Sequence, residues 1–245
     1  MRKDGEYYIL EHPKPGVTYY AGTDPIPMGD KKEIRLGSDE RSYHVTCILK
    51  GGSDPTPVAY YKVRSNDSWM VYHNTMRLQR YYNDCLNNIE KNAASVLLTR
   101  YTDDGTYSRY LASFPYATLV PGWEKTKIDG TKLRQKGWNK DVHTQKPAFD
   151  ALAEYLTVHA GNIWIPEIIT EIEDYQVKNC DLLDAFLSAL IYYYHTMRLV
   201  SKRGTEEKPE YIGYYGLNAK GQMSYMKAKV GGKGEKGHDG FGVIR

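Results

Sequence analysis

The sequence predicts an α/β domain: a mixed central sheet, three antiparallel strands followed by parallel strands, flanked by helices. Two observations carry this. Residues 17–64 hold three β-rich runs separated by Gly- and Pro-containing connections, after which the apolar period becomes helical. Late in the chain, Asn179–Met197 sets Leu183, Phe186, Leu187, Leu190, Tyr194 and Met197 along one side of an amphipathic helix.

Composition bounds the class. The chain has 245 residues, 41% hydrophobic and 26% charged, which suits one soluble globular domain or two small ones. No run approaches the ~20 apolar residues that span a bilayer, and the Met-Arg-Lys-Asp-Gly-Glu start is no signal peptide. The three cysteines, Cys47, Cys85 and Cys180, are far apart and odd in number. They exclude a disulfide framework and a C-x-x-C zinc site, and they suit a reducing compartment. The net charge of +3 decides nothing, but it is unevenly spread. Residues 123–146 hold seven Lys/Arg (Lys125, Lys127, Lys132, Arg134, Lys136, Lys140, Lys146) against three acids, and residues 161–187 hold six acids against Lys178. That pairing reads either as a backbone-binding strip beside a metal site or as two solvated faces.

Taken in order, residues 1–16, with Pro13, Pro15 and Gly16, read as an irregular linker stub. Val17–Asp24 is a strand stopped by Pro25, with Thr18, Tyr20, Gly22 and Asp24 on one side. Gly22 keeps that side open beside the carboxylate. Residues 25–41 form a long polar loop. Ser42–Lys50 and Pro57–Arg64 are the next two strands, antiparallel across a Gly/Asp/Pro turn. Asp67–Tyr82 is a helix, with Trp69, Tyr72, Met76 and Arg80 at helical spacing and Asp67 or Ser68 at its start. Cys85–Asn92 is a short strand carrying Glu90. A helix over about 93–101 and a strand at Tyr116–Val120 follow. Trp123–Gln145 is a basic loop with a short hairpin, and Pro147 opens a helix that Gly161 closes. Pro166–Tyr175 and Asn179–Met197 are the last two helices. Residues 201–245 read as a basic, Gly-rich, disordered tail, leaving 17–200 as the folded domain.

This order brings acids together. The strand bearing Glu90 must return through a right-handed crossover and lie parallel beside the first strand, so Asp24 and Glu90 share one sheet edge, where ligands bind in such sheets. Asp181 and Asp184 open the last helix, which packs across the same sheet. They are either helix caps, with Asn179 or Asp181 accepting the orphan N–H groups, or metal ligands. Converging carboxylates need countercharge, and hard divalent cations supply it. Two such ions about 4 Å apart can activate water and stabilise the leaving oxygen of a phosphodiester. No G-x-x-x-x-G-K-[S/T] loop and no Ser/His/Asp or Cys/His set competes with this reading.

Four stretches, V-T-Y-Y-A-G-T-D-P (17–25), N-N-I-E-K-N (87–92), K-G-W-N-K-D-V-H-T-Q-K-P (136–147) and C-D-L-L-D-A-F (180–186), resemble in the same order the nuclease domain of phage and herpesvirus terminase large subunits. The resemblance covers roughly residues 15–200. It implies a ribonuclease H-like fold and a two-metal endodeoxyribonuclease, using Mg²⁺ or Mn²⁺, that cuts concatemeric viral DNA during genome packaging. Carried over, Asp24 is the first-strand aspartate, Glu90 the acid of an E-x-N pattern with Asn92, and Asp181 the last-helix aspartate with Asp184 after it. Where many relatives have Asp-Asp, this chain has Cys180-Asp181, which leaves open whether Asp181 or Asp184 completes the second metal site. Lys125, Lys127, Lys132, Arg134, Lys136, Lys140 and Lys146 are the expected phosphate contacts to double-stranded DNA. The family also implies a packaging ATPase domain, absent from this sequence, together with a portal and a small terminase subunit, and action in the host cell cytoplasm without a membrane.

Two other readings stay open at this level. One keeps the fold but takes branched DNA, as a Holliday-junction resolvase-like nuclease. The other is a non-catalytic DNA-binding or capsid-docking module, for which the tyrosines and the basic tail would suffice.

Overall fold

A computed structural model describes residues 5–27, 42–105, 107–115, 134–175, 179–205, 211–217 and 223–229. The chain divides into two compact units, Met1–Arg198 and Leu199–Arg245.

The first unit is built on a five-stranded sheet of order β1-β4-β3-β2-β5. Its strands are β1 (Glu6–Ile9), β2 (Tyr19–Asp24), β3 (His44–Lys50), β4 (Thr56–Val63) and β5 (Leu86–Ile89). β2, β3 and β4 form the expected antiparallel meander. β5 pairs parallel to β2, with Tyr20 opposite Leu86 and Thr23 opposite Ile89. The Glu90 amide then donates to the Thr23 carbonyl at 3.0 Å, so Asp24 and Glu90 stand side by side past the same sheet edge.

Both faces of the sheet are covered, and the period of two assigns alternate residues to each. Tyr19, Ala21, Ile48, Ala59 and Tyr61 pack against α1 (Ser68–Tyr81) and α2 (Ser95–Asp103). Tyr20, Val45, Cys47, Leu49 and Tyr60 pack against α3 (Val142–His159), α4 (Pro166–Glu173) and α5 (Asp181–Thr205). Cys47, Cys85 and Cys180 are buried, and none of the three forms a disulfide. Among the described residues no helix is long and apolar enough to cross a membrane.

Local chemistry explains the boundaries. Asp67 caps α1 by accepting the amides of Trp69 at 3.1 Å and Met70 at 3.0 Å. Of the expected α1 stripe, Tyr72 and Met76 are buried, whereas Trp69 is exposed with the Arg100 guanidinium over its ring. α3 starts at Val142, five residues before Pro147, because Asp141 and Thr144 form a reciprocal capping box. Pro147 therefore lies inside the helix, and the expectation that it opens the helix was wrong: capping overrode the proline signal.

Two further expectations change. The lead-in is not wholly irregular, because Glu6–Ile9 pairs antiparallel with Lys62–Ala59. Tyr8 stacks on Tyr60 with ring centroids 4.4 Å apart, a cross-strand pair that Pro13 and Pro15 masked in the sequence. In the second unit, β8 (Tyr211–Leu217) and β9 (Met223–Lys229) form an antiparallel hairpin in the stretch read as disordered. The expected strand at 116–120 and most of the basic loop lie outside the described residues. The loop is entered and left by β6 (Ser113–Pro115) and β7 (Arg134–Lys136), which pair antiparallel.

Candidate active site

Gly22, in the middle of β2, sets the position of α5. A Cβ there would overlap the amide nitrogen of Ala189 and the carbonyl oxygen of Ala185, so only glycine lets the helix backbone rest on the strand. Two contacts from the neighbouring strand and loop lock the same point. The Asn88 side-chain amide donates to the Ser188 carbonyl at 2.8 Å. The indole N–H of Trp138 donates to the Ser188 hydroxyl at 2.8 Å, and that hydroxyl donates to the Asp184 carbonyl at 3.0 Å. Each buried bond of this kind contributes about 1 kcal/mol net. With α5 fixed against β2 and β5, its first turn is held at the end of the sheet where Asp24 and Glu90 stand.

The helix N-terminus is capped from outside. Glu171 of α4 accepts the Leu183 amide at 2.7 Å, and the Cys180 thiol donates to the Glu171 carbonyl at 3.3 Å. Asp181 does not cap its own helix: its Oδ2 accepts the Tyr43 amide, just ahead of β3, at 2.8 Å. This overturns the capping reading of Asp181 and gives Cys180 a place in the cap rather than among the acids.

A loop beside Glu90 completes the cluster. Gly137 adopts φ +67°, and a Cβ there would overlap the Ile89 carbonyl. The chain can then pair with the end of β5, with the Trp138 amide donating to the Ile89 carbonyl at 3.0 Å and the Lys91 amide to the Trp138 carbonyl at 2.8 Å. Asn92 holds the Lys140 carbonyl at 2.6 Å. The Lys140 ammonium reaches Asp184 Oδ2 at 2.6 Å.

The result is Asp24, Glu90, Asp181 and Asp184 in one electrostatic neighbourhood with Lys140. Burial, then the charges of Asp184, Glu90 and Asp181, hold the Asp24 carboxyl well above the usual carboxylate range. Burial also raises Glu90, with Lys140 acting against the shift and Asp184 with it. Asp181 is raised by burial, opposed by the Tyr43 N–H and by the charges of Lys62 and Arg64. Lys140 is disfavoured by burial, yet Asp184, Glu90 and Asp24 outweigh this and hold its ammonium above the ordinary value.

Among the described residues no three His, Cys, Asp or Glu side chains stand ready-grouped as a metal site. Two carboxylate oxygens are already engaged, one by Lys140 and one by the Tyr43 amide. The donor set nevertheless fits a hard divalent cation. Asp184 Oδ1 is buried with no hydrogen-bond partner, and the surrounding groups are carboxylates that repel one another.

Those of the expected phosphate contacts whose side chains are described, Lys136, Lys140 and Lys146, have separate partners. Lys140 belongs to the acidic cluster rather than to a basic strip. Lys146 pairs with Asp150 at 2.8 Å on the exposed side of α3. Lys136 is exposed and donates to the Ser108 carbonyl at 3.3 Å. Arg134 lies in β7, and Lys125, Lys127 and Lys132 lie outside the described residues. Sequence reasoning missed Tyr43 and Glu171, since neither has a local signal: their partners are 138 and 12 residues away.

No protein-family model matches the chain, and no curated protein matches it. Solved structures do. The large terminase nuclease from thermophilic phage G20c with bound magnesium aligns over 78% of this chain and 88% of that one, at 11% identity and a TM-score of 0.51. The same nuclease with bound cobalt aligns over 78% and 88%, at 10% identity and a TM-score of 0.50. With its mixed five-stranded sheet between helical layers, the chain has the ribonuclease H-like fold of the phage large terminase nuclease.

Proposed function

We propose that this chain is a metal-dependent endodeoxyribonuclease of the terminase type, cutting concatemeric viral DNA during packaging with two divalent ions, Mg²⁺ or Mn²⁺. The observation that carries the reading is that Glu90, Asp181 and Asp184 lie near enough for their charges to act on the buried Asp24 carboxyl, and that Asp184 Oδ1 is buried with no hydrogen-bond partner. The likeness to the G20c nuclease supports it at the level of fold.

In this reading Asp24, Glu90, Asp181 and Asp184 are the residues that would hold the ions, with Asp181 and Asp184 acting together from the first turn of α5. Bound there, the ions supply a lowered pKa for attacking water and charge stabilisation for the leaving oxygen. The protein's own contribution is positional. Gly22 and the Ser188 hydrogen bonds fix the α5 carboxylates against the sheet, and the Tyr43 amide fixes the rotamer of Asp181. Lys136, Lys146 and the basic residues of 125–134 hold duplex phosphates without reading sequence. By the same family likeness, a packaging ATPase, a portal and a small terminase subunit are the proposed partners, in the host cytoplasm.

The test is supercoiled plasmid incubated with the chain in Mn²⁺, Mg²⁺ or EDTA, with Asp24→Asn and Asp184→Asn alongside. Metal-dependent cleavage that falls about a thousandfold in either variant is the expected result. Full-rate nicking by both variants would overturn the assignment. Preference for four-way junctions over linear duplex would move the substrate class to branched DNA.

A further inference from the structure

The acidic cluster carries its own cation. Lys140 Nζ lies 2.6 Å from Asp184 Oδ2, with the two side chains only 23% and 15% exposed. Asp184 therefore has one oxygen taken by an ammonium and the other buried without a partner. The Lys140 backbone is anchored, because Asn92 holds its carbonyl at 2.6 Å, and the Asp141 capping box starts α3 immediately after it. Its four-carbon stem is flexible. The head can leave Asp184 while the backbone stays in place.

We propose that Lys140 is a resident countercharge of this centre, holding Asp184 in the metal-free protein and giving up that carboxylate oxygen when a divalent ion binds. The inference rests on the nuclease reading above, since the ion is the one assigned there. Its physical basis is competition. An ammonium donating to Oδ2 blocks a ligand lone pair, and its charge repels a divalent cation entering the same neighbourhood. Metal and ammonium are thus coupled through Asp184, and removing one must favour the other. Without a metal, the same ammonium offsets the mutual repulsion of the carboxylates and keeps the first turn of α5 in place.

The experiment is a Mn²⁺ titration of the full chain, read by calorimetry and by thermal melting, for the parent, Lys140→Met and Lys140→Arg. Lys140→Met is expected to melt at a lower temperature without metal and to bind Mn²⁺ about tenfold more tightly, with Lys140→Arg close to the parent. A companion measurement needs no variant. Amine labelling followed by mass spectrometry should show the reactivity of Lys140 rising several-fold when Mn²⁺ is added to the parent. Unchanged or weaker Mn²⁺ affinity in a folded Lys140→Met, or labelling indifferent to metal, overturns the proposal and leaves the nuclease reading standing. Absence of Mn²⁺ binding by the parent and both variants overturns the metal reading, and this inference with it.

Discussion

Gly22 lies directly beneath Ala189, with no room between strand β2 and helix α5 for even one methyl group. The contact joins the centre of the sheet to the helix that bears two of the four acids. It lies two residues before Asp24 on the strand and five after Asp184 on the helix, so it sets where those carboxylates meet.

Gly22→Ala should therefore be severe. The added Cβ meets backbone atoms of Ala185 and Ala189, which cannot rotate away as a side chain would. We expect a loss of about 3 kcal/mol or more in urea unfolding, together with loss of metal-dependent cleavage. A stability within about 1 kcal/mol of the parent would show that α5 can lift from the sheet at little cost.

Asp24→Asn should separate stability from activity. The Asp24 carboxyl is held well above the usual range by burial and by Asp184, Glu90 and Asp181, so its charge is costly to the metal-free fold. Removing that charge should raise metal-free stability by about 1 kcal/mol while abolishing cleavage. Thermal melting in EDTA beside a plasmid assay in Mn²⁺ checks both halves. A variant that melts below the parent would mean that Asp24 makes a contact the fold needs.

What the sequence made legible follows from range. The strands of the meander and the parallel return of β5 came from local runs of Val, Ile, Tyr and Thr plus one topological rule. That Asp24 and Glu90 would be neighbours was readable because each stands at the end of a strand and the two strands pair. Lys140 was visible only as one cation among seven in a basic stretch. Its approach to Asp184 depends on the Gly137 turn and the Asn92 contact, which no periodicity reports. Asp181 was ambiguous for the same reason: whether it caps α5 is decided by Glu171 on another helix and by Tyr43 before β3. The misread boundaries, at β1, α3 and the C-terminal hairpin, all lie where Pro or Gly suggested a break and pairing or capping prevailed.

Glu171 predicts a pH dependence. Burial, partly opposed by the Leu183 N–H, raises its carboxyl from 4.5 to about 7. The folded-state pKa lies above the unfolded one, so the fold favours the protonated form. The associated stability is full below about pH 4.5 and is lost as pH rises through about 7. Glu171→Gln keeps an acceptor for the Leu183 amide and removes the titration. The difference in urea midpoint between about pH 5 and pH 8 should be smaller in Glu171→Gln than in the parent. Equal differences would show that Glu171 is ionised at both values. Glu171→Ala, which deletes the cap itself, should cost about 1–2 kcal/mol at about pH 5 and less at about pH 8.

His44 predicts the opposite limb. The ring is fully buried, with Nε2 3.1 Å from the Thr75 hydroxyl and 3.3 Å from that of Thr46, and Nδ1 has no hydrogen-bond partner. Burial lowers its pKa from 6.5 to about 3, so the fold holds the neutral ring. A depressed folded-state pKa gives a contribution that is fully present above pH 6.5 and is lost as pH falls toward about 3. The limiting slope is about 1.4 kcal/mol per pH unit, because one proton must be taken up on unfolding. Between about pH 6 and pH 4, His44→Gln should unfold with a shallower acid dependence than the parent, whatever its stability at neutral pH. Side-chain NMR of the parent should show the His44 ring still neutral at about pH 5. A ring that charges near pH 6.5 would mean that water or a carboxylate reaches β3 from the side of α1, and the two threonine contacts would then have to be read as those of an imidazolium donor.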